Sequence, residues 1–317
     1  MKKALIQIHV AVLLWGFTGV LGRAITLDAP VLVWYRMLLT ALFLVVILYY
    51  RKQWVSVARK DMGRLTLVGC LMGLHWVAFY GSIKLANASI ALICLSTASI
   101  FTTIIDALAH KKRMDRNELM IGALALLGVF VMYIVPEIEQ SISQKVISDP
   151  LPNRNLGILA GVVAAVLSSA FTVLNKTMAA KYPARLMVFY EMGTGWLLIT
   201  LLIPLQFLYL PDTRMMPNAW DLVWLIVLSL CCTVWAQSLA LNALKHISSF
   251  TATLSVNLEP VYGILLAFMF FQENTELQWS FFGGMLLILL SVILQMMRLL
   301  KPRKASPGYI REKGGIE

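Results

Sequence analysis

AVLLWGFTGVLGR at Ala11–Arg23 and AVLSSAFTVLNK at Ala165–Lys176 carry one pattern twice, in register on Phe17-Thr18 and Phe171-Thr172. One copy lies in each half of the chain, so the fold turns on how a duplicated unit is arranged. Working outward, Val33-Trp34-Tyr35-Arg36 lines up with Val188-Phe189-Tyr190-Glu191, and Lys84 lines up with Lys245. The last alignment sets Ser99 opposite Pro260 and, carried on without a gap, Gly122 opposite Gly283.

The surroundings of both copies are apolar. Of 317 residues, 59% are hydrophobic and 14% charged, and the mean hydropathy is +0.78, well above that of a water-soluble domain. A spanning helix needs about 20 mostly apolar residues. Ten such stretches are read at 4–22, 30–50, 65–84, 87–108, 118–135, 156–178, 186–209, 221–243, 247–271 and 279–297. The expectation is an all-α membrane protein of ten transmembrane helices forming two inverted five-helix repeats, 1–135 and 156–297. Between them lies an extracytoplasmic connection, 136–155, and a basic cytoplasmic tail follows at 298–317. Met1-Lys2-Lys3 before an apolar run resembles a secretory signal. The run exceeds a signal core of about 7–15 residues and carries Gln7, His9 and Trp15, so the first helix is read as retained.

Cys70, Cys94, Cys231 and Cys232 all fall inside apolar stretches without metal-ligand spacing, and read as small core residues. The net charge of +11 is explained by where basic residues fall rather than by a nucleic-acid partner. With the N-terminus inside, 21 of the 27 basic residues lie on the cytoplasmic side, in the N-terminus, the loops 51–64, 111–116 and 176–185, Lys245 and the tail. Five lie opposite: Arg23, Lys84, Lys145, Arg154 and Arg214. Basic loops face the cytoplasm, so both termini are expected there, in the cell inner membrane.

Five helices per half is an odd number, so the second half starts on the other side of the bilayer and the repeat is inverted. Inverted repeats are typical of alternating-access carriers, whose site lies near the midplane where the halves meet. Trp15-Gly16-Phe17, Arg36-Met37-Leu38, Leu258-Glu259-Pro260-Val261, Gln272-Glu273 and Gly283-Gly284, set on ten spans, resemble the EamA family of the drug/metabolite transporter superfamily. The resemblance implies export of a small metabolite, such as an amino acid or related amphiphile. It also implies rocking of two five-helix halves about a cavity lined by helices 1, 3, 4, 6, 8 and 9. Two departures stand out: Ser99 where the family usually has a proline, and Lys112 where the equivalent of Glu273 is expected.

Charges inside spans cost about 2.5–3.5 kcal/mol at a helix centre on insertion scales, and four need explaining: Arg36, Asp106, Glu191 and Glu259. Glu259 lies midway along helix 9 before Pro260, whose missing N–H leaves a carbonyl free. It is the leading site residue, able to carry a proton or face a substrate amine. Arg36 either binds a substrate carboxylate with its forked donors or serves as an ion pair or a snorkelling side chain. Glu191 is read as structural, and Asp106 as a local ion pair near His110-Lys111-Lys112.

His75-Trp76 and Phe79-Tyr80 in helix 3 could line a cavity, with Gln7, His9 and, deeper, Trp15 of helix 1 as weaker candidates. Helices 4 and 9 add Ser96, Thr97, Ser99, Thr102, Thr103 and Thr251, Thr253, Ser255, Asn257 at corresponding positions of both halves. Such groups bond their own backbone or a neighbouring helix. From this set the expected substrate-binding or coupling residues are Glu259, Asn257, Arg36, His75, Trp76, Trp15 and Ser96. Gly69–Gly73 and Gly157–Gly161 read as close-packing seams. A membrane-embedded enzyme would need a motif such as HExxH or a nucleophile elbow, and a channel a repeated pore loop; the chain shows none of these. Nor does it carry a GxxxxGK[ST] loop for ATP. The expectation is a secondary transporter with no cofactor or metal, a small-molecule substrate, proton coupling through Glu259 and a lipid bilayer around it.

Overall fold

The computed structural model describes residues 2–86, 88–144, 154–209, 214–259, 261–262 and 279–300, and every regular element among them is helical. In chain order these are α1 Lys2–Ala24, α2 Ala29–Tyr50, α3 Arg59–Leu85, α4 Ala88–Ser96, α5 Ala98–Ala109, α6 Arg116–Gln144, α7 Arg154–Ala179 and α8 Ala184–Tyr209. Then come α9 Ala219–Ser229, a π-helical turn Leu230–Trp235, α10 Ala236–Leu244, α11 Ser249–Val256 and α12 Trp279–Leu300. Among the described residues seven stretches are long and apolar enough to cross a membrane: Ala29–Tyr50, Arg59–Ile83, Ala91–Ala109, Asn155–Ala179, Ala184–Leu205, Ala219–Leu244 and Phe282–Leu300. The chain is an integral membrane protein. α1 and α6, at 23 and 29 residues, are also long. The ninth expected helix begins with α11 and runs into residues 263–278, outside the described set, as are Pro260, Gln272, Glu273 and the tail from 301.

Four expected helices differ from their hydropathy outlines. The fourth, read as 87–108, is broken at Thr97, where bonds of i→i−3 type, Thr97 N–H to Cys94 O and Ile100 N–H to Thr97 O, replace the α pattern. The local hydroxyls explain the break. Ser96 Oγ donates to Ile93 O (2.7 Å) and Thr97 Oγ1 to Cys94 O (2.5 Å), competing with the backbone for those carbonyls. The offset that sets Ser99 opposite Pro260 sets Thr97 opposite Leu258, and the second half breaks there too: Asn257 N–H bonds Leu254 O and Leu258 N–H bonds Ser255 O. The eighth helix contains the π turn. The fifth, expected to stop at 135, stays helical to Gln144, because the end of an apolar run marks the edge of the membrane and not the end of a backbone helix.

Packing joins the halves. α3 lies along α7 and α8, while α1 lies along α9, the π turn and α10; α2 pairs with α8, α5 with α11, and α6 with α12. The first two pairings exchange roles under the repeat, and the last three map onto themselves. Glycines make the closest crossings possible. A Cβ on Gly69 of α3 would lie 2.4 Å from Glu191 O of α8, and one on Gly195 would lie 2.7 Å from Gly69 O. Gly157 and Gly161 of α7 sit equally close to Ala86, and to Ser82 and Cys94. Both expected glycine pairs are therefore helix crossings. The cysteines are free thiols, with Cys94 and Cys232 buried and Cys70 and Cys231 partly so.

Candidate functional site

A cavity lies where the halves meet. α1 contributes Trp15 and Thr18, α2 Arg36, and α3 His75, Trp76, Phe79 and Tyr80. α4 adds Leu95, α7 Phe171, Thr172 and Asn175, α10 Gln237, and α11 and its continuation Thr253 and Glu259. Helices 1, 3, 4, 6, 8 and 9 were expected to line it; helix 2 joins them through Arg36.

Arg36 is 3% exposed, and the π turn explains how it is held. A π turn widens the helix by one residue and leaves carbonyls out of the α register, a feature common at functional sites. Arg36 Nε donates to Thr233 Oγ1 (2.9 Å) and a terminal nitrogen to Cys232 O (3.4 Å), while Ser229 Oγ donates back to Arg36 O (3.3 Å). Its guanidinium carbon stands 4.1 Å from the Trp76 ring centroid, a cation–π contact that strengthens away from water. Arg36 therefore neither snorkels nor forms an ion pair among the described residues. It is a fixed cation with one face toward the cavity.

Glu259, partly buried, follows the break at Asn257–Leu258. It lies within electrostatic reach of Arg36 without a direct ion pair to it. Two opposite charges thus face one space with a gap between them. Tyr80 stands beside Arg36, and the buried Tyr80 hydroxyl, Thr18 Oγ1 and Asn175 Oδ1 have no close hydrogen-bond partner among the described residues. Buried polar atoms are nearly always satisfied, so this set is suited to a polar ligand or to water.

Of the expected site residues, Glu259, Arg36, His75, Trp76 and Trp15 come together in this cavity. Ser96 and Asn257 do not line it; they meet Glu259 in a small adjoining pocket behind Leu95 and Val256. His75 Nδ1 donates to Ala164 O (2.8 Å), and its ring packs edge-on to Phe171. Gln7 and His9 are not among the lining residues. Asp106 is paired with Lys112 and with His110 (2.8 Å), as expected of a local ion pair. Glu191 is 0% exposed, and neither carboxylate oxygen has a close hydrogen bond among the described residues; Asn175 is the polar side chain that faces it. Asn175, Gln237 and Thr172 were missed, although a search for every polar residue inside an apolar stretch, charged or not, would have found them.

A helical membrane protein whose halves enclose a central cavity with opposed charges is of the transporter class. The model of the EamA-like transporter family matches residues 2–134 and 155–297, and the chain belongs to that family. A solved structure described only as a crystal structure of a protein is similar in fold, with a TM-score of 0.72 at 17% identity over 95% of this chain and 100% of that one. No curated protein matches the chain.

Proposed function

We propose that the chain is a secondary transporter that moves a small zwitterionic amphiphile, such as an amino acid or a relative of one, across the cell inner membrane by alternating access. Export is the direction implied by the family, and the basic loops support both termini lying in the cytoplasm. The observation that carries this reading is the separation of Arg36 from Glu259 across one cavity walled by Trp15, Trp76, Phe79 and Phe171. A carboxylate docks on the forked guanidinium, an amine on Glu259, and an apolar side chain on the rings. In the absence of substrate, Glu259 takes up a proton instead, which gives coupling by competition between proton and amine.

The test is thermal stabilisation of the purified protein by a panel of amino acids, amines, sugars and nucleosides, with Glu259→Gln alongside. An amphiphilic amino acid is expected to stabilise the parent and not the variant. Stabilisation of both by the same compound would place the site elsewhere. Coupling through Glu259 fails if Glu259→Gln transports as fast as the parent with the same pH profile.

A further inference from the structure

Two aspartates outside the cavity occupy repeat-related positions at opposite ends of the bundle. Asp61 is the third residue of α3 and Asp221 the third of α9, and α3 and α9–α10 are the third helices of their halves. Each reaches across to the first loop of the other half. Asp221 Oδ1 accepts from Thr26 N–H (2.7 Å) and Oδ2 from Thr26 Oγ1 (2.9 Å), two residues past the end of α1. Asp61 Oδ2 accepts from Tyr182 Oη (2.9 Å) and Lys181 Nζ (3.4 Å), three and two residues past the end of α7. Tyr182 Oη also accepts from the N–H of Ala58 (3.4 Å), the residue before α3. Because α1 and α7 run in opposite directions through the bundle, the two ties lie at opposite faces.

Helix capping accounts for only part of this. Asp221 and Asn218 form a reciprocal capping box at the start of α9, which uses one bond to Oδ2 and leaves both bonds to Thr26 unexplained. Residue Ala58 gives α3 no side-chain cap at all, and Asp61, beyond an ion pair to Arg64 at 3.7 Å, is committed to the other half. Asp221 is fully buried and Asp61 nearly so. Carboxylates held in this way by charge-assisted or buried hydrogen bonds are strong, directional joints, yet each joins only a loop to a helix end.

We propose that Asp61 and Asp221 are paired latches of the transport cycle, each holding its own face shut, so that either face opens only by releasing its aspartate. Both are made in this structure, which latches the cavity at its two ends. The inference rests on alternating access but not on the substrate. Opening one face closes the other more firmly, so the latches are coupled although they share no atom.

Hydrogen–deuterium exchange of the full-length protein in lipid nanodiscs, without ligand, tests this with Asp221→Ala, Asp61→Ala and the milder Thr26→Val. Asp221→Ala and Thr26→Val are expected to speed exchange severalfold at the end of α1 and the start of α9, and to slow it around Ala58–Asp61 and Lys181–Tyr182. Asp61→Ala is expected to give the mirror image. Exchange that rises only beside the substituted residue, rises everywhere, or does not change would overturn the proposal, since a static staple or a misfolded variant has no reciprocal effect at the far face. The panel of candidate ligands reads the substrate independently, so a failure there leaves this result standing.

Discussion

Arg36 shows how a charge becomes tolerable inside a bilayer. Its donors are divided between a hydroxyl and a carbonyl of the π turn, and one face is covered by Trp76, so its insertion cost is met without a direct ion pair. A lysine carries the same charge but cannot donate in two fixed directions from a planar group. Arg36→Lys is therefore expected to remain folded and to weaken binding of the stabilising ligand about tenfold or more, the loss of one charge-assisted hydrogen bond; unchanged affinity would mean that the fork is not used. Glu191 is the opposite case, a carboxyl faced by the Asn175 side chain but with no close hydrogen bond at either oxygen among the described residues. Leaving such a group unsatisfied costs roughly 1–3 kcal/mol. Glu191→Leu should raise the thermal unfolding midpoint, and a lowered midpoint would reveal that the carboxyl does meet a partner.

At the scale of the helix, glycines decide which faces can touch. A Cβ on Gly69 would sit 2.0 Å from Thr194 Oγ1 and 2.4 Å from a backbone carbonyl oxygen, and the carbonyl cannot rotate away. Six residues earlier in the same helix, α3, Gly63 has nothing among the described residues within 4 Å of where its Cβ would be. Gly69→Ala is expected to destabilise by about 1–3 kcal/mol through overpacking, while Gly63→Ala should stabilise by about 0.5–1 kcal/mol from helix propensity alone. Thermal unfolding of the two variants side by side checks the contrast; equal effects would remove close packing as the reason for Gly69. The breaks at Thr97 and Asn257–Leu258 belong to this scale as well. They place Glu259 on the far side of an interrupted helix, where its backbone is set apart from the regular turns of α11.

For the molecule as a whole, what the sequence discloses depends on how local the cause is. Spans are legible because hydropathy accumulates along the chain, and the seam at Gly69–Gly73 because spacing and residue size suffice to announce it. The hydroxyl-rich run from Ser96 to Thr103 reads by hydropathy as part of one unbroken span, because apolar length does not register competition for backbone carbonyls. The partner of Arg36 was not legible: Cys232 and Thr233 lie nearly two hundred residues away, and a π turn leaves no periodicity that differs from an α-helix over so short a stretch. Asp61 and Asp221 lie at the ends of spans, and nothing in the one-dimensional order shows which loop each will meet. Trp15, His75, Trp76 and Glu259 could each be singled out for costing something in a membrane, but their convergence on one cavity is a property of the packing between halves.

That packing bears on how the protein is made. α1 finds its neighbour in α9–α10 and α3 finds its neighbours in α7 and α8, so the helices inserted first wait for partners that the ribosome has not yet synthesised. The early chain holds Arg36 in the bilayer before the π turn exists to receive it, and exposes the Gly69 face of α3 until α8 arrives. Biogenesis cannot proceed half by half, as it does for proteins whose domains fold in order of synthesis; the last-made helices complete the environment of the first.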